Sequence, residues 1–205
     1  MFMQAATAFT DADMVDLETA LFPSALARSG ILEGTRVEAA DGWRPVESLT
    51  RGDAVYTFDG GLKEITAIHR EELRPVRVLN VPGGALENCA DLLLLPGQYM
   101  AIEDARAEAL FGSPLTLIPA AALAGYRGIE WENAKARRLE VVTLEFEEEE
   151  LVWGNSGMLF HCPDARQFGA PRLVSGFFTM LDMADARRMV ALLREGEPAT
   201  CPEAA

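Results

Sequence analysis

Between residues 35 and 160, apolar and polar positions alternate in short runs broken by glycine, proline and aspartate, which is the pattern of half-buried strands. Thr35, Val37 and Ala39 alternate with Arg36 and Glu38, and Asp41-Gly42 follows as a hairpin-type turn. A strand over 53–58 is ended by Asp59-Gly60-Gly61. The run 62–69 reads as one further strand, with Ile65, Ala67 and His69 on one face and Glu64, Thr66 and Ile68 on the other. Strands follow at 76–81, at 92–95 and 98–102 around Pro96-Gly97, and at 115–118. Over 139–146, Val141, Thr143 and Glu145 stand opposite Val142, Leu144 and Phe146. Runs at 151–153 and 158–160 complete the set. Such spacing predicts a mainly β protein with few helices.

Helical spacing is confined to a few places. Residues 11–21 carry Met14, Leu17, Ala20 and Leu21 on one side and stop at Pro23. Residues 105–111 predict a short helix with Ala107, Leu110 and Phe111 on a shared face, and 120–123 a single turn. The strongest helix is 183–193. Asp182 suits its N-cap, Asp185 its first turn, and Ala186, Met189, Val190 and Leu193 form its apolar side, with Gly196 and Pro198 beyond its end. The chain therefore divides into a helical or disordered lead-in (1–29), a β domain (30–163), an extension with the helix (164–197) and a disordered tail (198–205).

Composition narrows the function more than the fold. The 205 residues suffice for a sizeable core, and 49% are hydrophobic. With 32 acidic and 18 basic residues the net charge is -14, and no Lys/Arg stripe occurs. Nucleic-acid phosphates demand such clusters, so a nucleic-acid partner is not expected. No apolar run reaches the ~20 residues of a membrane-spanning helix. Cys89, Cys162 and Cys201 have no paired spacing, which argues for reduced thiols in a cytoplasmic protein and against a disulfide framework or zinc site. A basic-apolar N-terminal export signal is not evident, while secretion by a C-terminal signal stays open.

The block from Gly34 to Leu62 has a structural role for each of its marked residues. Gly34 allows a backbone conformation other residues resist, Asp41-Gly42 turns the chain, and Trp43 with Pro45 covers one end of a small β layer. Asp53 after Gly52 can accept from backbone amides at a second turn. In order, Gly34-Thr35, the run 41–49 (DGWRPVESL), Arg51-Gly52-Asp53 and the run 55–62 (VYTFDGGL) resemble the opening of Hint domains, the fold shared by hedgehog autoprocessing modules and inteins. The bacterial Hint-like proteins of alphaproteobacteria are the most similar group. Shorter blocks at 114–119, 125–129 and 159–163 extend the resemblance over roughly residues 30–163.

That resemblance implies a Hint-like β fold and a specific chemistry. Active members open with a cysteine or serine whose side chain attacks the preceding carbonyl, converting an amide to an ester. A downstream Thr/Ser-x-x-His motif holds the scissile amide and helps protonate its nitrogen. Here the nucleophile position is Gly30, which has no side chain, and Ser29 lies one residue out of register. The second motif reads Leu95-Pro96-Gly97-Gln98, so Leu95 replaces the hydroxyl residue and Gln98 the histidine. A glutamine hydrogen-bonds but does not transfer protons near neutral pH. The expected function is that of a catalytically degenerate Hint-like domain, a binding or structural module whose protein or small-molecule partner is unknown. The vestigial positions Gly30, Leu95 and Gln98 mark its former site. The alternative is self-cleavage through a displaced nucleophile, Ser29 or Cys162, with His161 as the remaining candidate.

Other chemistry is not indicated. His161-Cys162 is the sole His/Cys neighbour pair, and adjacent strand residues face opposite ways, so a packed histidine and a buried thiol are expected. His69 reads as a satisfied or exposed strand-end histidine. Glu147-Glu148-Glu149-Glu150 reads as a solvated hairpin loop rather than a calcium site. Cofactors and metals are not expected.

Overall fold

The alternation of residues 35–39 produces a tight hairpin: strand β2 (Arg36–Ala39) returns as β3 (Gly42–Pro45), with Gly42 at a φ of 112°. Only glycine adopts that angle without strain. A computed structural model describes residues 29–74, 77–134, 138–164 and 175–196. Before the hairpin comes β1 (Ile31–Leu32); after it come β4 (Ala54–Thr57), β5 (Gly61–Glu64), β6 (Ala67–Leu73), β7 (Arg77–Val81), β8 (Leu92–Leu94) and β9 (Tyr99–Glu103). Helix α1 (Ala107–Phe111) leads to β10 (Leu115–Pro119) and a 3-10 turn (Ala120–Leu123). The chain continues through β11 (Glu130–Asn133), β12 (Leu139–Glu145), β13 (Glu150–Gly154), β14 (Met158–Cys162), β15 (Thr179–Met180) and helix α2 (Met183–Glu195).

These strands form three sheets. The large one runs β15-β10-β9-β14-β13-β2-β4-β5, with β3 hanging on β2. A small sheet, β1-β12-β6, holds the start of the described chain, and another is built of β11-β7-β8. The main core gathers Val37, Val55, Ile118, Val142, Leu144, Phe146, Val152 and Phe160. A second cluster of Leu32, Leu73, Val78, Leu95, Ala134, Leu139 and Val141 lies beside β1. A third, Ala101, Leu117, Leu151 and Leu159, covers another face of the large sheet. The mainly β class with a C-terminal helix is therefore what the chain adopts.

Several local expectations need correction. The run 62–69 is two strands rather than one. The Ile65 amide donates to Asp53 O at 2.9 Å, while both the amide and hydroxyl of Thr66 donate to Glu145 O. The chain thus leaves the large sheet and joins the small one between these two residues, a switch that alternation alone does not register. Leu110 does not share the buried face of α1; it is 48% exposed, because the helix ends within five residues at Gly112. Strand 139–146 is buried on both faces, one on the main core and one on the second cluster. Glu147 and Glu148 are exposed as expected of a loop, but Glu149 and Glu150 are buried. The predicted helix 11–21 and the tail lie outside the described residues.

Helix α2 begins where sequence reasoning placed it, with the Asp182 carboxylate accepting from the Asp185 amide at 2.9 Å. Its Ala186, Met189 and Val190 are part of the main core. Asp53 likewise accepts from the Thr50 amide at 2.7 Å and pairs with Arg44 at 3.2 Å. The Thr50 amide, more than Arg44, holds the Asp53 carboxyl below its ordinary range despite some desolvation.

The β13–β14 hairpin turns through Asn155 and Ser156, with φ of 46° and 82°. Asn155 is buried, and its side-chain oxygen accepts from the Arg36 amide at 2.7 Å, which justifies its strained backbone. Ser156 is exposed and has no such return. Ser156→Gly is expected to raise stability by about 1 kcal/mol, measured as a shift in the urea midpoint at constant slope.

Candidate functional site

The start of β1 and the turn after β8 converge at Gly30. β1 pairs antiparallel with β12, placing Ile31 opposite Val142 and Leu32 opposite Val141. This register lays Gly30 against Val141 and Thr143. The turn 95–98 is closed by the Gln98 amide donating to Leu95 O at 3.0 Å, and the Gln98 carbonyl accepts from the Ala120 amide at 2.8 Å. Gln98 is thereby fixed at both backbone ends and buried.

Its side chain spans the site. Gln98 Oε1 accepts from the Gly30 amide at 2.8 Å, and its Nε2 donates to Tyr99 O at 2.8 Å and His161 O at 3.0 Å. The amide group is thus oriented with its oxygen toward the nitrogen of the Ser29–Gly30 peptide. It accepts that hydrogen and has no proton to deliver to that nitrogen. The geometry fits a residue that grips the peptide without activating it.

The space beside Gly30 is filled. Gly30 is buried at a φ of 137°, a conformation that side-chain-bearing residues rarely adopt. A β-carbon added there would stand 2.4 Å from Val141 Cγ1 and 3.3 Å from Thr143 Oγ1. Leu95 joins Val141 and Leu32 in the second apolar cluster rather than offering a polar group. Thr35 is also buried nearby in sequence; its carbonyl accepts from the Val46 amide at 2.8 Å.

The displaced candidates sit elsewhere or in the wrong form. Ser29 is half-buried, directly before the gripped peptide. An acyl shift onto Ser29 would break the bond to its own nitrogen, one peptide upstream of the nitrogen that Gln98 faces. Cys162 is a free, buried thiol whose pKa is pushed up to about 12 by burial, with the Glu150 charge adding to it. A thiol so protonated is a poor nucleophile. His161 adjoins the site through its backbone carbonyl alone, since its ring points into a different cluster.

That cluster is the part sequence reasoning missed. His161 Nε2 lies 3.0 Å from Glu149 Oε2, and both side chains are fully enclosed. The other carboxylate oxygen accepts from Ser175 Oγ at 2.9 Å and from the amides of Gly176 and Phe177 at 2.7 Å each. Burial works against the Glu149 charge, but the four donors outweigh it and hold the carboxyl below its ordinary range. Glu150, the next residue, faces the other way and pairs with Lys63 at 3.1 Å. Hydrogen bonding and charge from Glu150 raise the Lys63 ammonium above its ordinary value. His69 similarly meets the buried Glu145 at 2.8 Å. A run of four glutamates looks solvated in sequence; its last two members are buried because partners 12 and more residues away supply their donors.

Among the described residues, no group of three or more His, Cys, Asp or Glu is placed to hold a metal ion. No described helix is long and apolar enough to cross a membrane.

A strand-rich fold in three sheets, with the Gly30 amide just before β1 held by Gln98, is the setting in which the chain's relatives can be read. The chain belongs to the Hint family: the family model described as Hint domain matches residues 30–159, more than half of its length. Among solved structures it is similar to a bacterial intein-like domain from Clostridium thermocellum, at 15% identity and a TM-score of 0.50, covering 65% of this chain and 99% of that one. It also aligns with the MchDnaB-1 intein, at 13% identity and a TM-score of 0.41, covering 63% of this chain and 98% of that one. The gp41-1 intein aligns at 14% identity and a TM-score of 0.37, over 65% and 99% of the two chains. A search of curated protein sequences returns no match.

Proposed function

We propose that this chain is a Hint domain that does not cleave itself and serves as a binding or structural module. The observation that carries this reading is the Val141 methyl group standing 2.4 Å from where a Gly30 β-carbon would lie, opposite a Gln98 that accepts the Gly30 amide hydrogen. Nucleophile and proton donor act as a unit, so the loss of both removes the acyl shift rather than slowing it modestly. The closed apolar surroundings of Leu95 and Val141 support a scaffold role for this spot. The opening block, which resembles that of the bacterial Hint-like proteins of alphaproteobacteria, is on this view a folding unit kept after the chemistry was lost. The free thiols of Cys89 and Cys162 fit a reducing compartment such as the cytoplasm. A net charge of -14 favours protein or small-molecule partners over nucleic acid.

The test is intact-mass analysis of the purified full chain, incubated with and without hydroxylamine or a thiol. The full-length mass is expected under every condition. Fragments ending at residue 28 or 161 would show a displaced nucleophile instead, and Ser29→Ala should then abolish the first of these cuts.

A further inference from the structure

Glu149 ties together two parts of the molecule that sequence order keeps apart. It stands at the entry to β13, within the family-matched residues 30–159, whereas Ser175, Gly176 and Phe177 lie beyond them. The segment 175–180 crosses the large sheet at its end. There β15 pairs parallel with β10 through Thr116–Thr179 and Leu117–Met180, a ladder of two residues. Phe178 and Met180 cover the cluster Ala101, Leu117, Leu151 and Leu159, and the Phe178 ring stands edge-on to His161 at 6.4 Å. Phe177 projects outward and is 72% exposed. The segment is therefore a strap whose apolar anchorage is slight on its own.

What fixes it is charge. Three of the four donors to the Glu149 carboxylate come from the strap, two of them backbone amides. Ser175 Oγ also accepts from the Phe178 amide at 2.6 Å, so the strap is bent into a small nest around the anion. The fourth donor is His161. Its Nδ1 is buried with no partner among the described residues, so Glu149 provides the ring's hydrogen bond. With the carboxylate ionised, the tautomer carrying its proton on Nε2 satisfies both groups. Among the described residues, the neighbouring glutamates turn elsewhere: Glu150 pairs with Lys63, and Glu147 and Glu148 are exposed.

By contrast, α2 is held independently. Ala186, Met189 and Val190 of α2 are buried in the main core, and Asp182 caps the helix by accepting from the Asp185 amide at 2.9 Å. We infer that residues 175–180 form a charge-locked strap, held at the β15 edge of the large sheet over an apolar cluster by the Glu149 anion and able to open by itself while α2 and the remaining strands stay folded. Opening uncovers Leu117, Leu151, Leu159 and the His161 ring in one step. The sign with pH follows from a carboxyl held below its ordinary value of 4.5: the lock is complete above that value and is lost as pH falls below it.

The experiment is amide hydrogen exchange on the full chain, read residue by residue, for the parent protein and for Glu149→Gln and Ser175→Ala. Glutamine keeps the shape and an oxygen toward Ser175, Gly176 and Phe177, with its NH2 toward His161 Nε2, but removes the negative charge and leaves only neutral hydrogen bonds to the strap. At pH 7, Glu149→Gln should speed exchange at Gly176, Phe177 and Phe178 by roughly 10- to 100-fold, with rates in α2, β13 and β14 unchanged within about 2-fold. Ser175→Ala should give a smaller rise at the same amides. Strap amides as slow in Glu149→Gln as in the parent would overturn the lock. Equal acceleration throughout α2 and β14 would also overturn it, since the strap would then not be a separate unit. Neither result bears on self-cleavage, which the mass measurement decides.

Discussion

Gly30→Cys, which places a thiol at the position that the Hint resemblance assigns to the nucleophile, is expected to yield a destabilised and uncleaved protein. Two costs coincide at this position. The backbone φ of 137° resists any side chain, and the new β-carbon would press on Val141 Cγ1 at 2.4 Å. Together these amount to about 2–5 kcal/mol, read from urea unfolding of the parent and variant. Intact mass in the presence of a thiol should stay that of the full chain, because Gln98 supplies no proton to the departing amide. Val141→Ala in the same chain should relieve the clash, with a favourable coupling of about 1 kcal/mol or more in a double-mutant cycle. Fragments 1–29 and 30–205 from Gly30→Cys alone would mean that the missing side chain was the sole defect and that the site had not closed.

The second large effect lies in the sheet that carries His161. Phe160 is fully buried in the main core, and the β13 backbone passes directly over its ring at Gly154. A β-carbon at Gly154 would meet two Phe160 ring carbons at 2.5 and 2.8 Å. Phe160→Ala should therefore cost about 3–5 kcal/mol, the loss of a large buried ring together with the cavity it leaves. Gly154→Ala should cost about 1–3 kcal/mol by overpacking. Phe160→Leu with Gly154→Ala should be more stable than the sum of the two single changes, since the smaller side chain makes room for the methyl group. Strict additivity in thermal or urea unfolding would mean that the ring moves aside freely and that the pair is not a packing unit.

How much of this was legible beforehand differs from place to place. The β2–β3 turn, the α2 N-cap and the Asp53 turn were readable because each is made by residues within a few positions of one another. Gly30 and Gln98 were readable as unusual only through resemblance to a family pattern. Their spacing of 68 residues holds no local signal that one accepts the other's amide hydrogen. The end of the Glu147–Glu150 run was misread for the same reason. A glutamate's burial is decided by donors brought from elsewhere, here His161, Lys63 and the residues 175–177. The switch of sheets between Ile65 and Thr66 was invisible because alternation continues through it while the partner strand changes.

By itself, the sequence determined the mainly β class, most strand positions, the C-terminal helix and the absence of a side chain at Gly30. Each of these follows from period, turn chemistry or residue identity, which act locally. Tertiary structure decided that Val141 fills the space beside Gly30, that Gln98 grips the Gly30 peptide nitrogen, and that the buried Glu149 accepts from Ser175, Gly176 and Phe177. The reason is physical: close packing and the satisfaction of buried charge depend on which distant groups the fold brings within about 3 Å, and no local pattern encodes that distance.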